Sequence, residues 1–378
     1  MKRVLIFSLA YYPHIGGAEI AIKEITDRIS DMEFHMLTLN LGNEVTDEKI
    51  GNIFVHRLGN GSSYFSKILF IPRAAYAARL MHRVYDFDFF WAMMSYMSLP
   101  IVLLRFIGVR TPYVITLQEG DPFKHMFNRW FILPFRPLLS IGFRKASAIQ
   151  SISSYLTIWA KRMGFKDKVT IIGNGVDIAR FVQMHIRPLT EKDVILVTTS
   201  RLVHKNAIDD VIRALVLLPE QIRFRIYGVG KEERNLVKLA EHLGVSPRIE
   251  FNGFIEHEKL PAVLQECDIF VRPSRSEGMG NSFIEAMAAG LPVIATQEGG
   301  IADFLFDARR NPRERTTGWA VDKDSPEQIA LAVKDILAHP EQVARVKEEA
   351  KKLVSEKYDW NIVSRKMKTL FESLLDKR

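Results

Sequence analysis

The stretch SEGMGNSFIEAMAAGLPVIAT, Ser276–Thr296, sets Glu277 and Glu285 eight positions apart among small and apolar residues. Gly278 and Gly280 precede a helical pattern that opens near Asn281-Ser282, and Gly290-Leu291-Pro292 follows it. On either side, Ile269–Val271 and Val293–Ala295 read as short buried strands. Strand, glycine loop, helix and strand make a parallel βαβ unit. Glycines let backbone N–H groups approach a ligand closely, and a helix N-terminus favours anions. The loop therefore reads as a phosphate cradle without a P-loop lysine. Phe283, Ile284, Met287 and Ala288 are apolar, so the glutamates stand in a buried setting. A buried carboxylate needs a partner. Glu285, about one turn into the helix, can accept from hydroxyls, as the acidic residue of dinucleotide folds accepts from ribose. Glu277, on the loop, can face the reacting group. A plain strand–turn–helix capped by Asn281 is the alternative for this stretch alone.

The same alternation runs along the whole chain. Strands are predicted at Arg3–Leu9, Phe34–Leu39, Ile53–Leu58, Phe87–Met93, Tyr113–Leu117, Ala148–Ser151 and Val169–Ile172, with helices such as Ala18–Ile29 and Ser66–Val84 between them. A second series has strands at Val194–Thr199, Arg223–Tyr227 and Ile249–Phe251 as well as the two above. Its helices are Ala207–Leu217, Lys231–Leu243, Lys259–Glu266, Ser282–Ala289 and Pro326–Leu337. The fold class is α/β, with two doubly wound, Rossmann-like domains. Periodicity is lost around His185–Asp193, so the domains are expected at 1–185 and from 186 onward. Open parallel sheets bind ligands at the carboxyl ends of their strands, which puts the expected active site in a cleft between the two domains.

Composition narrows the class. The chain has 378 residues, 47% of them hydrophobic, enough for two cores. Its one cysteine, Cys267, excludes a disulfide framework and fits a reducing compartment. The start, MKRVLIFSLAYYPHIGG, reads as a first strand rather than a signal peptide, because the apolar run is short and no A-x-A site follows. Phe89–Leu104 is uncharged but short for a span and interrupted by Pro100. Residues 1–185 carry 22 Lys/Arg against 14 Asp/Glu, so the whole net charge of +8 lies there. Lys49–Tyr85 and Pro122–Lys166 contain no acid, and the second window mixes its cations with Phe123, Phe127, Trp130, Phe131, Phe135, Phe143 and Trp159. Two readings fit: the solvated faces of ordinary amphipathic helices, or a lobe that meets an anionic membrane or an acidic acceptor. No nucleic-acid motif is present.

With these stretches in view, the chain resembles glycosyltransferase family 4, the retaining enzymes of GT-B fold. PSRSEGMGNSFIEAMAAGLPVIAT is similar to the family's E-x7-E signature. YYPHIGGAE resembles its N-terminal glycine loop, IIGNGVD the approach to its hinge, and TSRLVHKN the start of its second domain. YGVGKEE resembles its G-x-G turn, FNGFIEHEKLPAVLQECDIFVRPS the approach to the signature, and YDWNIVSRKM its last helix. Seven such segments in the right order span nearly the whole chain. The resemblance implies a C-terminal domain over 186–358 that binds a nucleoside diphosphate sugar, and a helix over 359–378 that crosses back to an acceptor-binding domain at 1–185. Arg201 would meet the diphosphate, assisted by Lys205. Gly278, Met279, Gly280, Asn281 and Ser282 would hold the donor, with Glu277 at the sugar hydroxyls and Glu285 at the ribose. Gly16 and Gly17 would lie near the β-phosphate. Oriented cations and N–H groups suit a leaving diphosphate, whose charge grows in the transition state. Neither metal nor cofactor is then expected.

Two departures stand out. Where the family has lysine before glycine, this chain has Asn206-Ala207, with Lys205 one residue early. Where the strand Tyr113–Leu117 often leads into histidine, it leads here into Gln118, which hydrogen-bonds hydroxyls but does not exchange protons near neutral pH. Glu119 and Asp121 are candidates for acceptor contact; a turn shaped by Gly120 and Pro122 is the alternative. Asp86-Phe87-Asp88 has the D-x-D form but opens a hydrophobic strand, and the ten histidines show no metal spacing. The reading is a retaining hexosyltransferase that uses UDP- or GDP-sugar, with Glu277, Gln118 and Arg201 at the reaction. The acceptor is a lipid-linked saccharide, a glycolipid, a polysaccharide primer or a small molecule, the basic lobe favouring the first two, and the chain is expected to be cytoplasmic, with that lobe resting on the inner membrane face. A sugar-nucleotide epimerase, a phosphorylase of the same fold and a non-catalytic scaffold are the alternatives.

Overall fold

The computed structural model describes residues 1–181 and 194–375. Contacts divide the chain into two units: Met1–Asn174 with the segment from Trp360, and Gly175–Asp359. The break expected at His185–Asp193 lies outside the described residues. Residues 175–181 group with the second unit, where the Val176 N–H donates to the Tyr358 carbonyl at 2.7 Å.

The first unit begins with β1 (Lys2–Phe7), α1 (Gly17–Asp27), β2 (Met32–Leu39), β3 (Asp47–Ile50), β4 (Ile53–Leu58) and α2 (Tyr64–Tyr85). It continues with β5 (Phe89–Met93), α3 (Ser98–Phe106), β6 (Tyr113–Leu117), α4 (Phe123–Phe127), α5 (Arg136–Arg144), β7 (Ala148–Ser151), α6 (Ser154–Arg162) and β8 (Thr170–Ile171). The second unit holds β9 (Val194–Thr199), α7 (Ile208–Leu215), β10 (Ile222–Tyr227), α8 (Glu233–His242), β11 (Ile249–Phe251) and α9 (Leu260–Gln265). After these come β12 (Ile269–Arg272), α10 (Asn281–Ala288), β13 (Val293–Ala295), β14 (Trp319–Ala320), α11 (Pro326–Ala338) and α12 (Pro340–Lys357). The last helix, α13 (Trp360–Leu375), belongs to the first unit.

The first sheet has the order β3-β4-β2-β1-β5-β6-β7-β8, parallel except for β3 against β4. Its central strands are apolar runs buried on both faces, as helices on both sides of a parallel sheet require. The sequence reading missed β3, because DEKI has no apolar alternation; it is a charged edge, and charge protects an edge from further pairing. Helix α13 lays Trp360, Val363, Met367 and Phe371 into the core with Ile22, Ile25, Phe89 and Trp91. The Phe371 ring lies 5.1 Å from the rings of both Phe89 and Trp91. Each such buried side chain contributes about 1.5–3 kcal/mol before entropy is subtracted.

The second sheet is parallel throughout, in the order β11-β10-β9-β12-β13-β14. Strand β14, two residues long, carries too little pattern to be seen in the sequence. The chain builds outward from β9 through β10 to β11, then restarts on the other side at β12. The strand order therefore reverses between β9 and β12. In the first sheet it reverses between β1 and β5. At such a point the loops after the two central strands splay apart, leaving a crevice at their carboxyl ends.

Candidate active site

In the second unit the reversal brings together the loop after β9, with Arg201 and Lys205, and the loop after β12, with Glu277 to Gly280. Arg275 ties the two loops. Its N–H donates to the Lys205 carbonyl at 2.7 Å. Its guanidinium donates to the His204 carbonyl at 2.8 Å and to both carboxylate oxygens of Asp209 at 2.9 Å. Further bonds reach Asp210 at 3.1 Å and Asp324 at 2.6 Å. Burial and then the neighbouring Asp209 charge push the Asp210 carboxyl up to about 6, against the pull of Arg275.

Glu277 is clamped at both oxygens. Oε2 accepts from Arg272 Nη2 at 2.7 Å, and Oε1 accepts from the Gly278 N–H at 2.8 Å. Arg272 ends β12 and is 5% exposed. Its Nη1 donates to Ser282 Oγ at 2.8 Å, and its guanidinium lies 4.1 Å from the centre of the Phe283 ring. Burial lowers the Arg272 pKa, while the charges of Glu277 and Glu285 oppose the shift. Sequence reasoning assigned Arg272 no role; the signal was an arginine closing the apolar strand IFVR. Gly280 sits where only glycine fits. Its φ is +86°, and a Cβ there would lie 2.6 Å from Arg272 Nη2 and 2.6 Å from the Phe283 ring.

Glu285, 7% exposed on α10, has its Oε1 2.9 Å from His257 Nε2. That histidine, in the loop before α9, carried no sequence signal. The neighbours that the two glutamates required within the chain are thus Arg272 and His257. Met279 is buried and Asn281 half-buried at the start of α10. Arg201 is exposed, and its guanidinium forms no ion pair among the described residues. Its carbonyl accepts from Asn206 Nδ2 at 2.7 Å. Ala207 adopts φ +54°, the left-handed region that favours glycine, so the family's glycine at this position has a backbone reason. Gly228 turns β10 directly under this loop, where a Cβ would lie 1.9 Å from the Ser200 carbonyl oxygen.

Around the same strand ends, six buried polar atoms have no hydrogen-bond partner among the described residues: Thr198 Oγ1, Thr199 Oγ1, Ser200 Oγ, Asn206 Oδ1, Arg272 Nε and Ser274 Oγ. Buried polar groups are nearly always paired, so a cluster of orphans marks a place built for polar company. Among the described residues, no group of three or more His, Cys, Asp or Glu side chains is arranged to hold a metal ion.

In the first unit, Gly16 caps α1 and Gly17 is its first residue. Glu19 occupies that first turn; burial pushes its carboxyl up, against the N–H groups of Glu19 and Gly16. At the carboxyl end of β5, Met94 holds φ +70° and ψ 159°, a region otherwise reserved for glycine. Glu119 straps this end to the end of β6, accepting from the Ser95 N–H at 2.6 Å and the Gln118 N–H at 3.0 Å. It is 1% exposed, which withdraws it from acceptor contact. Gln118 and Asn174 exchange two amide bonds, of 3.0 and 3.2 Å. Asp88, of the D-x-D segment, accepts from the Arg3 N–H at 2.9 Å and lies 3.4 Å from Lys2 Nζ, at the start of β1.

Two family models match the chain, Glycosyltransferase Family 4 over residues 15–180 and Glycosyl transferases group 1 over residues 179–353. The chain belongs to this glycosyltransferase family, and its two α/β units are those of the GT-B fold. It is similar to a protein of Escherichia coli K12 named as a colanic acid biosynthesis glycosyltransferase, WcaL, 29% identical over 72% of this chain and 67% of that one. It is also similar to the GDP-mannose-dependent alpha-(1-6)-phosphatidylinositol monomannoside mannosyltransferase of Mycolicibacterium smegmatis, 29% identical over 61% of this chain and 64% of that one. Anabaena HepE, solved in complex with UDP-glucose, superposes with a TM-score of 0.77 at 18% identity, covering 99% of this chain and 100% of that one.

Proposed function

We propose that this glycosyltransferase moves a hexose, with retention at the anomeric carbon, from a UDP- or GDP-sugar to a lipid-linked saccharide or glycolipid. The observation that carries the reading is the set of orphaned polar atoms at the ends of β9 and β12, beside the clamped Glu277 and the exposed Arg201. A sugar nucleotide brings hydroxyls and phosphate oxygens, the kind of polar company such a place is built for. Arg201, with Lys205, would meet the diphosphate, and the first turn of α10, from Gly278 to Ser282, would add N–H donors. Glu277 would accept from the sugar hydroxyls, and Glu285 from the ribose. Gly16 and Gly17 would approach the β-phosphate, and Gln118 would orient the acceptor.

In the transfer, the acceptor oxygen bonds to the anomeric carbon as the bond from that carbon to the diphosphate breaks. The acceptor proton passes to the departing phosphate oxygen. Developing charge is met by Arg201 and backbone N–H groups, so the reaction is proposed to run without metal. The relatives named for colanic acid biosynthesis and for a phosphatidylinositol monomannoside, the second of them GDP-mannose-dependent, support the class of donor and acceptor. The acid-free basic windows of the first unit favour a lipid-borne acceptor at the inner face of the membrane. The test is labelled transfer from UDP- and GDP-sugars to a lipid extract, with EDTA present and the product anomer read by NMR. Transfer that keeps the donor's configuration and stops in Glu277→Gln is expected. An inverted product, or undiminished transfer in Glu277→Gln, would contradict it.

A further inference from the structure

Helix α2 is apolar on both sides. Its inner face buries Phe70, Ala74, Ala75 and Ala78 against the sheet. Its outer face presents Phe65, Ile68, Tyr76, Leu80 and Val84 at helical spacing, and these are 43–76% exposed. A run of exposed large apolar side chains on one helix face marks an interaction surface. The helix runs for 22 residues, roughly 33 Å, with its outer side open. The surface continues past its first turn, where the Tyr64 ring meets the Phe131 ring at 6.3 Å. Next to Phe131, Trp130 is 82% exposed.

The charge on this surface has one sign. Arg73, Arg79 and Arg83 share the outer side of α2, and Arg129 stands beside Trp130. None of the four forms an ion pair among the described residues, and no acid occurs from Lys49 to Tyr85 or from Pro122 to Lys166. We infer that the outer face of α2 and the adjoining residues 129–131 dock on an anionic lipid bilayer. Exposed aromatic and aliphatic side chains enter the headgroup and acyl boundary, and the arginines meet the anionic headgroups. A second copy of the chain fits worse, because a two-fold contact would set these arginines against one another. A soluble polyanion would satisfy the arginines and leave the apolar face in water. The inference deepens the lipid-borne acceptor proposed above, yet its test needs no transfer. No helix of the described residues is long and apolar enough to cross a membrane, so docking here is at the surface.

Trp130 supplies the probe. The other tryptophans, Trp91, Trp159, Trp319 and Trp360, are 0–4% exposed, so a change in tryptophan emission on adding vesicles reports the docking face. The full chain is titrated with phosphatidylglycerol/phosphatidylcholine vesicles and with pure phosphatidylcholine, with flotation alongside. A blue shift and flotation with the anionic vesicles, weakened by salt, are expected. The triple variant Arg73→Glu/Arg79→Glu/Arg83→Glu and the variant Phe65→Ser/Tyr76→Ser/Val84→Ser should each reduce the floated fraction about fivefold or more, with unchanged circular dichroism. Arg201→Ala should float like the wild type, which separates docking from chemistry. Equal behaviour on both vesicle types overturns the inference. So does binding to dextran sulfate without flotation, or dimerisation through this face without flotation.

Discussion

Arg272 Nη2 lies 2.7 Å from Glu277 Oε2, at the point where the second sheet reverses its strand order. Both side chains are largely buried, at 6% and 14% exposure. Removing one partner of a buried pair costs about 3–5 kcal/mol, because the other charge is left uncompensated. Arg272→Met should therefore destabilise the protein by about that amount, and Arg272→Met/Glu277→Gln should recover part of the loss. A double-mutant cycle from urea denaturation reads the coupling; effects that simply add would show that the clamp contributes nothing.

Gly280 is predicted to be irreplaceable for a backbone reason. Its φ of +86° disfavours any side chain by about 1–2 kcal/mol. A Cβ 2.6 Å from the Arg272 guanidinium and the Phe283 ring adds about 1–3 kcal/mol of overpacking. Gly280→Ala should lower the thermal midpoint and weaken nucleotide binding together. A variant with wild-type stability would show that the loop relaxes freely.

Stability should carry a proton linkage at Asp210. Burial and the Asp209 charge raise its carboxyl to about 6 in the native state, above the value of an unfolded chain. Between those values the native state holds a proton that the unfolded chain has lost. The stability this gives is present at low pH and lost as pH rises through about 6. The stability difference between Asp210→Asn and the wild type should thus move in favour of the variant from pH 4 to pH 7. A difference independent of pH would place the titration elsewhere.

The two sheets were legible because buried parallel strands are short apolar runs between helical patterns, as at Val194–Thr199 and Ala148–Ser151, where structure and sequence reading coincide. The polar edge strand Asp47–Ile50 broke that pattern. Within the candidate site, Glu277 and the loop glycines Gly278 and Gly280 were visible in SEGMGNS, and Glu285 followed on the helix. Their supports were not. Arg272 lies in a strand that reads as core, and His257 stands 28 residues before Glu285. Glu119, adjacent to Gln118, reads as a ligand contact in the sequence, but folding turns its carboxylate onto two backbone N–H groups. Side chains that face a ligand share local motifs, whereas those that brace them are chosen by tertiary neighbours.

The central claim is that the ends of β9 and β12 bind a nucleoside diphosphate through Arg201. Calorimetric titration of UDP and GDP, with and without EDTA, into wild type and Arg201→Ala tests it. Arg201 is exposed and forms no ion pair among the described residues, so its loss should change stability by less than about 0.5 kcal/mol. One nucleotide should bind the wild type with EDTA present and bind Arg201→Ala about tenfold or more weakly, a difference of about 1.4 kcal/mol. Equal affinity in the two proteins, or no binding of either nucleotide, would contradict the account.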